Sequence, residues 1–335
     1  FGSSCGCSGQ PLWPWGSSPR FLSVGRLCRA MLGRLAKTGG YDVARASPSY
    51  VANQTRNAQS MKIVKERMRS VTNIMKITKA MKMVAAAKMK HDQRRMDNGM
   101  PFVKPVQRLL ERVAHEEKAV GSITYLAITG DKGLCGGVNS VVSKLTRLGI
   151  QEEEAKGNQA KIMVVGGKGL NTLKRVMADR FTNSFEESGK LAFTFGTASL
   201  IAERVINSDP NRLKIVSNTF RSMVAYDTDA KSTVTMKEVK SMDKAEWSKA
   251  MDVYSFEPSL YEVWDDLHEF YYGSAIFGAC LQAATTEQSS RMTAMENASK
   301  NAGEMLEKLS LIYNRARQAK ITTELCEIIS GAAAV

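Results

Sequence analysis

Apolar residues recur at alternating three- and four-residue intervals near both ends of this chain, and gather in short unbroken runs between them. Near the amino end, Met61, Val64, Met68, Val71, Met75 and Thr78 hold the spacing of a coiled-coil seam. Ile74, Ile77, Met81 and Val84 form a second stripe beside it, so the helix is apolar over more than one partner's width. No proline falls between Pro48 and Pro101 and no glycine between Gly40 and Gly99. The pattern therefore predicts one helix over residues 61–98, roughly 55 Å long, which Gly99, Pro101 and Pro105 are expected to break or kink.

The carboxyl end mirrors this. No proline follows Pro258, and Leu281, Thr285, Gln288, Met292, Met295, Ser299, Ala302, Leu306, Leu309, Tyr313 and Ala316 keep the same seam spacing. Interleaved Glu287, Arg291, Glu296, Lys300, Glu304 and Lys308 exclude a membrane helix. A helix at each end predicts an antiparallel pair of unequal arms. The seam stops after Ala316, because its next positions are Lys320, Thr323 and Glu327, yet a new stripe continues through Ile321, Leu325, Ile328 and Ile329 to Ala332. That stripe has no mate within the chain. Covering it releases about 25 cal/mol per Å², and another protein is the expected cover.

Between the arms, residues 119 to 240 alternate strand and helix patterns. Strands are expected over 123–129, 161–165, 212–223 and 232–240, and helices over 138–149, 170–180 and 197–208, which makes an α/β layout with parallel strands. Two glycine-rich loops, residues 130–137 and Gly166-Gly167-Lys168-Gly169, each follow a strand and precede a helix. Neither fits GxxxxGK[ST] or GxGxxG, and a glycine follows both Lys132 and Lys168 where a magnesium-binding hydroxyl would be needed. They read as tight turns. His91, His115 and His268 lack metal-ligand spacing, and no G-x-S-x-G elbow is present. No catalytic set, metal or cofactor is expected.

Charge alters the picture in two places. The chain carries a formal net charge of +14, which suits nucleic acid, anionic lipid or an acidic protein. Part of it sits in residues 1–55, where Arg20, Arg26, Arg29, Arg34, Lys37 and Arg45 face the single acid Asp42 and residues 21–35 can form a short amphipathic helix. Arg-rich, Ser-rich and acid-poor is the signature of an organelle transit peptide. The second place is the first helix. Lys62, Lys65, Arg69, Lys76 and Lys79 each follow a seam position, and Glu66 is the only acid between Asp42 and Asp92. Unbalanced charge along a rod implies a negative surface beside it. The cysteines Cys5, Cys7, Cys28, Cys135, Cys280 and Cys326 show no CxxC pairing and read as reduced thiols.

Three segments carry a family resemblance: residues 77–88, reading ITKAMKMVAAAK; residues 321–327 with 331–334, reading ITTELCE and GAAA; and Asp131-Lys132-Gly133-Leu134-Cys135-Gly136. With Arg291-Met292 and residues 313–318, they resemble the gamma subunit of F-type ATP synthases from about residue 58 onward. The resemblance implies a long antiparallel coiled coil of the two terminal helices beside a central Rossmann-like α/β domain. The expected partition is 1–55 leader, 56–118 first helix, 119–250 α/β domain and 251–335 last helix. It further implies a non-catalytic central-stalk rotor that couples rotation of a membrane c-ring to the alpha/beta hexamer, with small delta and epsilon stalk subunits beside it. Lys76, Lys79 and Lys82, with Met81, would face acidic lever segments of beta. Arg317 and Gln318 match positions that hydrogen-bond a beta-subunit loop, and Ile321, Thr322, Glu324, Leu325 and Ile328 belong to the tip turning in the hexamer's sleeve. No cysteine lies between Cys135 and Cys280, where chloroplast forms carry a thiol-control insertion. With the leader, that favours a mitochondrial member, peripheral to the matrix side of the inner membrane. The alternative, a basic coiled-coil organellar protein binding nucleic acid, wants aromatic residues among the basic ones, and residues 61–95 contain no Phe, Tyr or Trp.

Overall fold

The computed structural model describes residues 61–110, 121–187, 189, 192–233, 235, 251–252, 254–257 and 259–334. The expected leader, His115 and the far end of the strand expected over 232–240 lie outside them. The elements are α1 (Met61–Leu110), β1 (Ser122–Ile128), α2 (Val138–Ala155), β2 (Gln159–Val165), α3 (Gly167–Met177), a 3₁₀ turn (Ala178–Arg180), β3 (Phe181–Phe185), α4 (Phe195–Asn207), β4 (Arg212–Phe220), β5 (Tyr226–Thr233) and α5 (Leu260–Ala333).

The five strands form one sheet in the order β3-β2-β1-β4-β5. β1 pairs in parallel with β2 and β4, and β2 in parallel with β3, whereas β5 runs antiparallel to β4. The sheet is therefore mixed, not wholly parallel as the sequence pattern suggested, and β5 starts six residues earlier than expected. The cause is local. A short turn, in which Ser222 N–H donates to Ala225 O at 2.9 Å, reverses the chain into a hairpin, and a hairpin makes antiparallel neighbours. β5 is a largely exposed edge, so it carries little apolar signal. β3, the opposite edge, was not foreseen at all, since Phe-Thr-Asn-Ser-Phe buries no residue fully.

β1, at the centre, sends Ile123, Tyr125 and Ala127 into one core and Leu126 and Ile128 into the other, the period of two that a doubly covered strand imposes. α2 and α3 cover the first face through Val142, Ile150, Leu173 and Met177. The second face is covered by α4 and, decisively, by the first third of α5, through Trp264, Tyr271, Tyr272, Ala275, Ile276 and Cys280. The same 74-residue helix, roughly 110 Å long at 1.5 Å per residue, then leaves the sheet and forms the coil with α1. Rod and domain thus share a core.

The helices run antiparallel, since Phe102 meets Phe270, Met100 accepts from Gln282 Nε2 at 3.5 Å, and Lys82 pairs with Glu296. α1 does not break at Gly99. It continues through Pro101 and Pro105 to Leu110. Both prolines sit on the exposed side of the helix while Val103 between them is fully buried. The carbonyls they deprive of donors, those of Asp97 and Pro101, therefore face water, and packing of Val103 and Phe102 against α5 holds the helical path.

Candidate partner-binding surfaces and the joint between them

Along the coil, Val64, Val71 and Thr78 are buried and Met61, Met68 and Met75 half-buried, while Ile74, Ile77 and Val84 of the second stripe are 52, 57 and 58% exposed. One stripe is spent on α5 and the other is left over. On α5, Met295 and Ala302 are buried and Leu306, Leu309, Tyr313 and Ala316 half-buried. From Arg317 to Ala334 every residue is exposed. Met61, the first described residue of α1, lies at the far end of the antiparallel pair. Ile321, Leu325, Ile328 and Ile329 stand 56, 56, 69 and 59% exposed. On the same tip, Thr322 donates to Gln318 O at 2.9 Å and Lys320 pairs with Glu324 at 3.4 Å.

Lys62, Lys65, Arg69, Lys76 and Lys79 are all exposed, in one band beside the seam. Lys82 differs. It is half-buried and pairs with Glu296 of α5 at 3.1 Å, so part of its charge is committed within the chain. Met81 is half-buried at the edge of the band.

The second glycine-rich loop, which opens α3, is bonded to the first. A helix start offers unpaired N–H groups that attract anions. At the start of α3 those donors are taken by the loop that follows β1: Gly167 N–H donates to Asp131 Oδ1 at 3.0 Å, Lys168 N–H to Gly130 O at 3.2 Å, and Gly169 N–H to Thr129 Oγ1 at 3.1 Å. The α3 cap residue, Gly166, has φ of 100°, and a Cβ there would overlap the Thr129 carbonyl, so only glycine fits. The loops approach so closely because they bond each other.

The same loop has a second side, which grips α5. Ser290 Oγ donates to Cys135 O at 2.7 Å, and Arg291, ion-paired to Glu287, reaches Gly133 O at 3.5 Å. Burial, with the Glu287 carboxylate beside it, pushes the Cys135 thiol up from its ordinary value, and burial alone pushes Cys280 up to about 12. Both thiols are protonated and free. A crevice of about 530 Å³ opens here between α1 and the carboxyl ends of the strands, the usual ligand position in such sheets. It is walled by ion-paired groups, Arg95 with Asp92 at 3.7 Å and Arg291 with Glu287. The sequence pattern did not foresee that these residues meet, because the bonds link positions up to 158 apart. The available signals were the resemblance carried by the loop motif and by Arg291-Met292.

The chain is thus a two-helix rod rooted in the core of an α/β domain, with the first N–H groups of α3 bonded internally and the rod's tip uncovered. Among the described residues, no group of three potential metal ligands occurs and no helix is long and apolar enough to cross a membrane. A family model described as ATP synthase matches residues 60–335. The mitochondrial ATP synthase subunit gamma of Drosophila melanogaster is 40% identical over 289 residues, spanning 85% of this chain and 94% of the relative. A chain in the central stalk and c-ring structure of Tetrahymena thermophila mitochondrial ATP synthase is 32% identical with a TM-score of 0.53, covering 67% of this chain and 99% of that one. A chain of the Euglena gracilis mitochondrial enzyme reaches a TM-score of 0.71 over 82% of this chain and 94% of that one; at 21% identity it speaks to the fold.

The chain belongs to the ATP synthase gamma-subunit family. It is a mitochondrial, non-catalytic central-stalk subunit of the complex. The nucleic-acid alternative finds no support.

Proposed function

We propose that this chain is the turning shaft between a membrane c-ring and a hexamer of alternating alpha and beta subunits, on the matrix side of the mitochondrial inner membrane. The observation that carries the reading is the α5 tip, exposed from residue 317 to 334 with four large apolar side chains more than half exposed. An exposed apolar patch on a helix end of that kind marks a surface that another protein covers. In this reading Ile321, Thr322, Glu324, Leu325 and Ile328 turn inside the hexamer's sleeve, and Arg317 and Gln318 reach a beta-subunit loop. The band of Lys76 and Lys79, with Met81 and Lys82 at its margin, slides past acidic lever segments of beta. Exposed ion pairs are each worth about 0–1 kcal/mol and exchange readily, which suits a bearing. The α/β domain, assigned to 119–250 between helical arms 56–118 and 251–335, is the foot that meets the ring and the small delta and epsilon stalk subunits, and residues 1–55 are the leader. An asymmetric rod seen from three equivalent sites presents a different contact to each, so rotation biases their conformations in sequence.

The test is direct. Alpha and beta subunits assembled on this chain are fixed to a surface, a probe is attached to the foot, and ATP is supplied. Unidirectional rotation is expected. Normal hydrolysis with a stationary probe overturns the reading.

A further inference from the structure

Away from the partner surfaces, one carboxylate has an unusual set of bonds. Asp131 Oδ1 accepts from Gly167 N–H at 3.0 Å and from Glu187 N–H at 3.3 Å, and Oδ2 accepts from Gly189 N–H at 3.1 Å. Gly167 begins α3, whose cap residue Gly166 offers no side-chain acceptor. Glu187 and Gly189 lie in the loop after β3. One side chain in the loop after β1 therefore ties together the carboxyl-end loops of three strands. Charged acceptors make stronger bonds than neutral ones, and a carboxylate at a helix start also meets the positive end of its dipole.

The loops it ties are strained. Leu134 and Glu187 both adopt left-handed backbone, with φ of 62° and 60°, a conformation that crowds a residue's Cβ against the following carbonyl oxygen. Such geometry persists where the surroundings over-determine it. The far side of the Asp131 loop is the part that grips α5, through Ser290 to Cys135 O and Arg291 to Gly133 O. Asp131 thus stands in a turn where bonds from the sheet's loops and bonds from the rod meet; the β4–β5 turn meets the rod separately, where Ser289 Oγ donates to Met223 O at 2.6 Å.

We infer that Asp131 is a positioning residue for energy coupling: it stiffens the joint through which twist passes between the α/β domain and α5. Without it the β1 loop remains bonded to α5 but loses its tie to the β3 loop and its carboxylate tie to α3. Part of each stroke is then absorbed in the loops. Assembly and ATP turnover in the hexamer, which the rod's upper part contacts, are retained. The inference rests on the shaft reading.

The experiment uses the complete ATP synthase in sealed vesicles with Asp131→Ala, measuring ATP hydrolysis and proton pumping in the same preparation. Amide hydrogen exchange over residues 165–190 is followed alongside. The expected result is faster exchange in that segment, hydrolysis close to wild type, and protons pumped per ATP reduced by half or more. Asp131→Asn, which keeps one acceptor oxygen but presents an amide to the opposing N–H groups, should fall between. Faster exchange with unchanged pumping per ATP makes Asp131 a structural tie only and overturns the inference. If Asp131→Ala does not assemble, Asp131→Asn decides by the same two measurements. A wild-type complex that hydrolyses ATP without any pumping tied to rotation of this chain sinks the shaft reading instead.

Discussion

Gly278 of α5 lies against Val103 of α1 so closely that a Cβ on the glycine would stand 2.7 Å from Val103 Cγ1. Val103 is fully buried and branched at Cβ, so it cannot swing aside. The two helices cross near the foot at a distance that only hydrogen on Gly278 permits. Glycine to alanine inside a helix ordinarily stabilises by about 1 kcal/mol. At Gly278 the sign should reverse, with a loss of about 1–3 kcal/mol from overpacking. At Gly303, where a Cβ meets nothing within 4 Å, the ordinary gain is expected. Denaturant unfolding of the two alanine variants checks the opposite signs.

Deleting residues 317–335 removes a segment whose described residues are all exposed. The melting temperature of the isolated chain should change little, while assembly with alpha and beta, or coupling in the assembled complex, weakens. Cooperative loss of the α/β domain in the truncated chain would contradict the partition into foot and tip.

Lys76→Glu with Lys79→Glu reverses two exposed charges of the band without disturbing the seam. Coupling should fall while the fold is kept, and the defect should depend on ionic strength, since exposed charges are screened beyond about 10 Å at 0.1 M salt. Normal, salt-independent turnover would count against the band.

Glu153 supplies a pH signature. Burial would raise its carboxyl, but hydrogen bonds from Lys214 Nζ at 2.8 Å and Asn158 Nδ2 at 2.9 Å, with the charges of Lys214 and Lys156, hold it below its ordinary value of 4.5. A lowered carboxyl contributes stability above the unfolded value and loses it as pH falls through the folded one. Glu153→Gln should therefore cost about 2 kcal/mol near neutrality, and the difference from wild type should close below pH 4.5. A pH series of denaturant curves measures it.

The thiols report on sheathing. Cys326 is exposed at the tip, whereas Cys135 and Cys280 are buried. A maleimide should label Cys326 rapidly in the isolated chain and slowly in the assembled complex, with peptide mapping to separate the sites. Equal labelling of Cys326 in both states would argue against a sleeve around the tip.

The coil was legible because its code is local: a seam repeating every seven residues announces itself in any window, and its end after Ala316 appears as a change of residue type. The edges of the sheet were harder. Phe181–Phe185 and Tyr226–Thr233 lie half in water, and a half-exposed five- to eight-residue strand leaves a pattern that turns imitate. Pro101 and Pro105 do not end the helix, since their cost depends on which face they occupy, and the face is set by α5. The Asp131 tie lay furthest from sequence reasoning, because its donors come from turns 36 to 58 residues away and peptide N–H groups have no letter in the sequence.

That a single helix runs from beneath the sheet to the uncovered tip turns residue count into angle. Each residue advances an α-helix by about 100°, so the azimuth of Ile321 relative to Trp264 is fixed by the number of residues between them. Gaining or losing one residue in that interval would re-clock the whole head against the base, as shifting one tooth mistimes a camshaft. The length of this stretch therefore sets the orientation of the head as surely as its letters set the packing.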